Sequence, residues 1–261
     1  MRAVVGVGPI RLSVVERKGA GGSHAAARTV VVWDVLRREI ERAAVARPRL
    51  TVVDVGGGTG GFAVPLAQAG HDIIVVDPSP DALAALSRRA AEAGVGERIQ
   101  GMQGDADSLA TLVGPGDADV VLCHSVLEIV DSPDQVTEAL ATTLRPGGAA
   151  SVIVANRAAA VLTRAMSGQL ATAAALLADP DGRAGARDTL RRRFDLESAT
   201  ALLVKAGLAV EQVHGVRVVA DLVPGTVLER DHEALAEFEL ATAALAPFRD
   251  VASQLHLLAR R

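Results

Sequence analysis

Residues 50–61, Leu-Thr-Val-Val-Asp-Val-Gly-Gly-Gly-Thr-Gly-Gly, hold five glycines within six positions, directly after a short run rich in β-branched residues. A helical pattern of apolar residues begins at Phe62. A strand, a glycine loop and a helix in this order leave free backbone N–H groups at the helix start, where they bind polar ligands. Glycine allows the positive φ angles and the close backbone approach that such a loop needs. The stretch therefore predicts a ligand-binding loop.

This loop fits two templates. Gly56, Gly58 and Gly61 match G-x-G-x-x-G, the fingerprint of dinucleotide sites. The D-x-G-x-G-x-G template is matched as well, by Asp54, Gly56, Gly58 and Gly60. A carboxylate directly before the glycines would repel a pyrophosphate, whereas it suits a ligand that carries an ammonium group. The residues favour a cationic ligand and leave an NAD-dependent oxidoreductase as an alternative.

Two further acids follow predicted strands. Asp77 ends the apolar run 73–76, nineteen residues after Gly58, where an acid accepts hydrogen bonds from ribose hydroxyls. A helix cap is the less favoured interpretation of Asp77, because Ser79 and the proline after it already supply one. Asp105 follows the predicted third strand, 98–102, while Asp107 is placed to cap a short helix over 108–113. Asp77 therefore predicts a contact to the sugar of a nucleoside ligand, and Asp105 is a second acid at a strand tip.

A parallel sheet would bring these side chains together. Predicted strands at 50–55, 73–76, 98–102, 119–123, 150–155 and 208–213 are separated mostly by helical patterns, and a last strand is predicted near 251–259. We predict an α/β fold with a doubly wound, Rossmann-like, seven-stranded sheet, mostly parallel with an antiparallel last strand. The acids and the segment His124-Ser125 would then line one crevice, because ligands bind beyond the carboxyl ends of such strands.

Two segments depart from this pattern. Residues 1–27 are predicted to form an N-terminal extension without order, with a Gly/Ala/Ser-rich linker at 18–27. Residues 28–261 form the predicted domain, with a helical cap insertion at about 157–194. Between positions 157 and 193, seven arginines and three aspartates give a charge of +4, against −8 for the rest of the chain, whose total is −4. The cap is either a solvated helix face or a surface for an anionic substrate.

Composition limits the functional classes. A hydrophobic content of 49% over 261 residues is ample for one core, and the net charge of −4 gives no global reason to bind nucleic acid. The lone Cys123 lies in an apolar run, which predicts a buried thiol and excludes an internal disulfide and a cysteine-based zinc site; no metal site is predicted. We see no run of 18 uncharged apolar residues and no signal-peptide pattern, so we expect a cytoplasmic protein without a membrane partner.

Four motifs in register resemble the class I S-adenosylmethionine-dependent methyltransferases: Asp54 with its glycines, Asp77, Asp105, and Arg145-Pro146-Gly147-Gly148 before a strand. The resemblance is close over residues 50–155. Over the rest of the chain it rests on the order of the predicted strands and helices. It implies S-adenosyl-L-methionine as the cofactor. The implied cofactor-binding residues are Asp54, Gly56, Gly58, Gly60, Asp77, Pro78, Asp105, Ala106, His124 and Ser125. His124 is open to three roles, as a base, as a substrate contact, or through its backbone carbonyl, which the family favours.

A closer resemblance rests on the segments 124–128, 144–148 and 215–218, on Asn156, and on Arg28 and Trp33 ahead of the glycine loop. These are similar to the tRNA 5-carboxymethoxyuridine methyltransferase family, which esterifies the carboxylate of a modified wobble uridine. The resemblance implies tRNA as the partner, met by the arginine-rich cap. The implied catalytic residues are Arg28, Asn156, Arg157 and Arg217, since a guanidinium binds a carboxylate bidentately.

Aromatic content separates this chain from that family. The sequence has no tyrosine and only 2% aromatic residues, whereas single-stranded RNA bases are usually held by aromatic or arginine stacking. A methyltransferase that acts on oxygen or nitrogen of a small molecule is therefore the main alternative. A cofactor-binding regulator without turnover is a further one.

Overall fold

A seven-stranded sheet runs through the part of the chain that the computed structural model describes, residues 20–185 and 188–261. The strands are β1 (Thr51–Val55), β2 (Asp72–Asp77), β3 (Ile99–Gln103), β4 (Ala118–His124), β5 (Leu144–Ala155), β6 (Ala209–Val216) and β7 (Gln254–Arg260). They lie in the order β3-β2-β1-β4-β5-β7-β6. Strand β7 is antiparallel to β5 and β6, and the pairs from β3 to β5 are parallel. The predicted sheet is confirmed.

Helices cover both faces of the sheet. Before β5 they are α1 (Ala20–Ala44), α2 (Ala63–Gln68), α3 (Pro80–Glu92), α4 (Leu109–Leu112) and α5 (Pro133–Thr143). After β5 they are α6 (Arg157–Met166), α7 (Leu170–Ala178), α8 (Leu196–Lys205), α9 (Gly225–Arg230), α10 (His232–Thr242) and α11 (Phe248–Val251). Ser79 and Ser132 cap α3 and α5 by accepting backbone N–H bonds, with proline at the first helical position, and the cap predicted at Ser79 is thereby confirmed.

Two apolar cores lie on opposite faces of the sheet. On one face Leu36 of α1 packs with Val52 and Leu122, and on the other Leu140 of α5 packs with Val121. Strands β1 and β4 are apolar almost throughout because both of their faces are covered. They are neighbours at the centre, and the chain proceeds from them in opposite directions across the sheet. The gap beyond their carboxyl ends is the position where open α/β sheets bind ligands.

The N-terminal segment differs from the sequence prediction, whereas the cap is helical as predicted. Residues 20–27, within the predicted linker, belong to α1, while residues 1–19 lie outside the described residues and the predicted extension there is untested. The predicted helical cap includes α6 and α7, but Asp179 adopts an extended conformation before Pro180 and ends α7 there.

Candidate active site

Three glycines of the loop after β1 adopt conformations that other residues rarely adopt. Gly56, Gly58 and Gly60 have φ angles of 69°, 55° and 81°. A Cβ atom at Gly56 would lie 2.6 Å from the Val126 side chain, whereas Gly61 has open space around it and no positive φ. The backbone conformation therefore requires glycine at the three glycine positions of the D-x-G-x-G-x-G template. It does not require glycine at Gly61, the third glycine of the dinucleotide fingerprint.

Asp54 lies at the base of this loop as a buried acid without a partner. Its side chain is 3% exposed, and Oδ2 has no hydrogen-bond donor among the described residues. Burial raises the pKa of Asp54 to about 7, and the nearby charge of Asp77 adds to the rise. A buried carboxylate without compensation costs free energy, so this position favours a cationic group of a ligand.

Asp77, at the end of β2, ties the loop to the strand tip. Its Oδ2 accepts a hydrogen bond from the Gly58 backbone N–H at 2.9 Å, and Oδ1 accepts one from the Ser79 N–H at 2.9 Å. Ser79 itself caps α3, so Asp77 is not the side-chain cap. Each carboxylate oxygen keeps a free lone pair, which can accept a bond from a ligand hydroxyl. We call the region of Asp54, Asp77 and these glycines the glycine-loop crevice.

The tip of β3 contributes Asp105 and Ala106. Asp105 is exposed and its carboxylate forms no cap hydrogen bond, and Ala106 is buried beside it. Gln103 connects this tip to β2 by donating a hydrogen bond to the Pro78 carbonyl at 3.3 Å. The N-terminus of α4 has no side-chain cap bond, so the cap predicted from Asp107 is not formed. The two strand tips stand side by side, as their parallel pairing requires.

A second feature is a cavity of about 530 Å³ at the ends of β4, β6 and β7. We call it the arginine pocket. Its lining includes Arg28, Phe62, His124, Ser125, Arg217 and Gln254. Asp221 pairs with both arginines, with Arg28 at 3.1 Å and with Arg217 at 3.3 Å. Two guanidinium groups that share one carboxylate leave a net positive charge and unused N–H donors, which suits an anionic ligand.

His124, which is half-buried, belongs to a line of polar side chains beneath α1 whose other members are buried. Its Nε2 lies 2.8 Å from Ser151 Oγ, which lies 2.9 Å from His256 Nε2, and His256 Nδ1 lies 3.3 Å from His214 Nδ1. Burial lowers the pKa of His124 to about 3 and the pKa of His256 well below its ordinary value. His124 is therefore neutral at pH 7 and a weak base, which argues against the general-base role.

The buried His256 predicts a specific dependence of stability on pH. The folded state keeps His256 neutral below pH 6.5, where the unfolded chain takes up a proton, so this stability is present above pH 6.5 and is lost as the pH falls. The free energy of unfolding of wild type minus that of His256→Asn should therefore be about 2 kcal/mol smaller at pH 5 than at pH 8. Urea titrations at both pH values measure this. The carboxyl groups titrate in the same way in both proteins, so their contribution cancels in this difference. Free energies of unfolding that change in parallel with pH in the two proteins would contradict the prediction.

Asn156 and Arg157, predicted as catalytic, are not brought to the arginine pocket. Asn156 is 2% exposed, caps α6 by accepting the Ala158 N–H, and donates from Nδ2 to two carbonyl groups before β7. Arg157 pairs with Asp195 at 3.0 Å, at the start of α8. Both side chains hold the cap onto the sheet, and neither contacts Arg28 or Arg217 in any described bond.

The other cap arginines are largely engaged within the protein. Arg192 donates to the carbonyl groups of Leu127, Val130 and Asp131, and Arg193 pairs with the buried side chain of Asp188. Arg191 pairs with Asp131. Arg191 and Arg192 therefore anchor the cap to the loop after β4, and Arg193 makes its ion pair within the cap. With Arg157, four of the six described cap arginines have protein partners, which favours a structural role over a substrate surface.

Sequence reasoning missed Asp221, Gln254, Ser151 and His256. Gln254 donates a hydrogen bond to Ser125 Oγ at 2.9 Å and so fixes the residue after β4, whose φ is 57°. Ser151 and His256 interrupt apolar strands that are otherwise buried. A polar residue inside such a run is a usable signal, because it needs a partner in the core. Cys123 is buried, as predicted.

Comparisons with known proteins agree with the geometry. Residues 52–148 match the family model of a methyltransferase domain. The chain is 29% identical to a tRNA 5-carboxymethoxyuridine methyltransferase of Escherichia coli (strain K12), over 90% of this chain and 88% of that one. It is 36% identical to a ubiquinone biosynthesis O-methyltransferase of Cupriavidus pinatubonensis, over 41% of each chain. These matches are to methyltransferases and not to the oxidoreductase that the dinucleotide fingerprint left open.

A solved structure shows the same fold. A putative S-adenosylmethionine-dependent methyltransferase from Listeria monocytogenes superposes with a TM-score of 0.61, over 92% of this chain and 99% of that one. The two sequences are 16% identical, so this likeness concerns the fold. Within residues 20–185 and 188–261, no helix combines the length and the apolar character that a membrane crossing requires.

Proposed function

Because this chain belongs to the S-adenosylmethionine-dependent methyltransferases, we propose that it methylates a carboxylate, that of 5-carboxymethoxyuridine at the wobble position of tRNA. The arginine pocket carries the proposal, since Arg28 and Arg217 share one counter-ion and keep donors for a second carboxylate. The tRNA acceptor is supported by the E. coli relative, which is matched over 90% of this chain. A tRNA acceptor implies a cytoplasmic enzyme.

The glycine-loop crevice fits the methyl donor. The unpartnered oxygen of Asp54 suits the ammonium group, and the free lone pairs of Asp77 suit the ribose hydroxyls. Asp105 and Ala106, with Pro78 nearby, are assigned to the adenine, and the backbone of His124 and Ser125 to the methionyl end. When bound, S-adenosylmethionine supplies an electrophilic methyl group on a positively charged sulfur. The acids give this crevice the sign of charge that such a ligand requires.

The chain's own residues would act by binding and orientation. A carboxylate is ionised at pH 7 and is itself the nucleophile, so no general base is needed. Arg28 and Arg217 would hold it with one oxygen directed at the methyl carbon, about 3 Å away, and such positioning is worth several kcal/mol. His124 stays neutral beside them, which avoids a further positive charge near the cationic donor. Neither arginine needs to give up or take up a proton.

Donor binding should depend on pH through Asp54. Its carboxyl has a pKa of about 7 without ligand, and a cation favours the ionised form, so protonation below pH 7 opposes binding. Affinity for S-adenosylmethionine should be about tenfold weaker at pH 6 than at pH 8. Calorimetry at both pH values measures this, and Asp54→Asn should remove the dependence. An equal pH slope in wild type and Asp54→Asn would exclude Asp54 as the ammonium partner.

The acceptor is tested directly by radiolabelled methyl transfer. Extract from a cell that lacks the protein is separated into RNA and small molecules, and each fraction is incubated with enzyme and labelled S-adenosylmethionine. We expect label in tRNA that is released by mild alkali, as a methyl ester would be. Nucleosides from the deletion strain should show a lower methyl-ester fraction. An unchanged fraction would exclude the tRNA assignment.

Two observations favour a second candidate, a methyltransferase acting on a small carboxylate or other small acceptor. Most described cap arginines are engaged internally, and aromatic residues for stacking a base are scarce. Label that enters the small-molecule fraction would favour this candidate. Binding to bulk tRNA without a steep salt dependence would support it further, because phosphate contacts make affinity fall with salt.

A further inference from the structure

Glu239 of α10 is a fully buried carboxylate whose partners are three consecutive backbone N–H groups. Its Oε2 accepts from Val218 N at 2.8 Å, and its Oε1 accepts from Val219 N and Ala220 N, both at 2.9 Å. No described lysine, arginine or histidine forms a salt bridge with it. The carboxylate thus sits in a concave row of amide donors, an arrangement that binds anions.

A charge at this position is not required for packing. The buried neighbours of Glu239 on the same side of α10 include Leu235 and Thr242, and an apolar residue would fill the same space without desolvating a carboxylate. Three hydrogen bonds to the ionised form compensate for that desolvation. The effect of Glu239 is therefore to fix the conformation of residues 218–220, since these are the groups that its carboxylate contacts.

The fixed segment lies between Arg217, which lines the arginine pocket, and Asp221, which pairs with it. Arg217 precedes it and has a φ angle of 60°, which non-glycine residues seldom adopt, and Asp221 follows it. The Arg217 carbonyl accepts the Ser253 N–H at 3.2 Å, which holds the other end of the turn. The turn directs Arg217 into the pocket and sets the 3.3 Å contact between Arg217 and Asp221.

We propose that Glu239 is a positioning residue for the methyl acceptor: it holds the turn 217–221 so that the Arg217 guanidinium faces the acceptor carboxylate. This inference rests on the proposed function of the arginine pocket. It goes beyond that function, because Glu239 lies in the core and contacts neither donor nor acceptor. It also explains why Arg217 keeps an unfavourable backbone conformation next to the pocket.

The test replaces Glu239 with glutamine, which keeps the size but turns an N–H₂ group toward a backbone donor. With tRNA from the deletion strain as the acceptor, the KM for tRNA should rise about tenfold, kcat should change less than about threefold, and affinity for S-adenosylmethionine should stay unchanged. In an Arg217→Gln background, Glu239→Gln should have no further effect on KM. Thr242→Val, buried one turn along α10 and bonded to its own helix, is the matched control.

Amide hydrogen exchange gives a readout that does not depend on the acceptor. The N–H groups of Val218, Val219 and Ala220 should lose at least about tenfold of their protection in Glu239→Gln, and not in Thr242→Val. If Glu239→Gln fails to fold, Glu239→Asp, which retracts the carboxylate by one methylene, is measured in the same way. Unchanged exchange overturns the proposal, as do KM effects that are additive with Arg217→Gln. Absence of methyl transfer to tRNA by the wild type overturns the proposed function instead.

Discussion

Replacing Asp77 with alanine should weaken S-adenosylmethionine binding at least about a hundredfold, the largest change expected for one residue of the crevice. Hydrogen bonds to a charged carboxylate are each worth about 1.5–3 kcal/mol, and two ribose hydroxyls would lose theirs together. Asp77 also holds the glycine loop through the Gly58 N–H, so its loss removes the geometry as well as the acceptor. Equilibrium dialysis with labelled donor measures the affinity.

The fold should survive this change. Two backbone N–H groups lose their partner, at Gly58 and Ser79, and each costs about 1–3 kcal/mol, which is within the usual stability of a domain. Asp77→Asn keeps the shape and one acceptor oxygen and should bind with intermediate affinity. Asp81→Ala removes an exposed acid from the first turn of α3 and serves as the control. Affinity retained within a few-fold in a cooperatively folding Asp77→Ala would mean that the ribose lies elsewhere.

The glycine-loop crevice could be predicted from sequence because its signals are local. The loop, the acid at the end of the next strand and the proline caps each depend on a few adjacent residues, and parallel pairing then brings the strand tips together. The same holds for the turn at 146–148, where proline followed by glycine is typical of a type II turn and Gly147 has a positive φ of 78°. These features depend on the conformational preferences of a few adjacent residues, so the sequence is sufficient to predict them.

The roles of the arginines could not be predicted in this way. Arg157 and Arg192 look alike in sequence, and their partners, Asp195 and the carbonyl groups after β4, are settled by packing of the cap. Arg28 and Arg217 are 189 positions apart and meet through Asp221. Glu239 lies in an ordinary helical pattern, and nothing in that pattern indicates that its side chain is buried. Long-range pairing is not encoded in local spacing, so the sequence left the cap open as either a solvated helix face or a surface for an anionic substrate.

The second large effect is expected when both arginines of the pocket are replaced. Arg28→Gln with Arg217→Gln should lower kcat/KM for a carboxylate acceptor about 10²- to 10³-fold, the loss of about 3–4 kcal/mol of charge-assisted hydrogen bonding. Arg217→Gln should account for most of it, because its side chain is 25% exposed and that of Arg28 is 47% exposed and better screened. Steady-state assays at saturating S-adenosylmethionine measure this.

Arg38→Gln is the matched control for that double variant, because Arg38 lies on the same helix as Arg28 but pairs with Asp34 outside the pocket. Its kcat/KM should stay within about twofold of wild type, since surface pairs contribute little. The wild-type KM for the acceptor should also rise with salt, as screening weakens the attraction between guanidinium and carboxylate groups. A double variant that kept its kcat/KM would show that the acceptor is not an anion in this pocket. Methylation of a carboxylate held in this pocket would then be excluded, and the pocket would bind an uncharged acceptor. The prediction that Asp77 binds the methyl donor would not be affected.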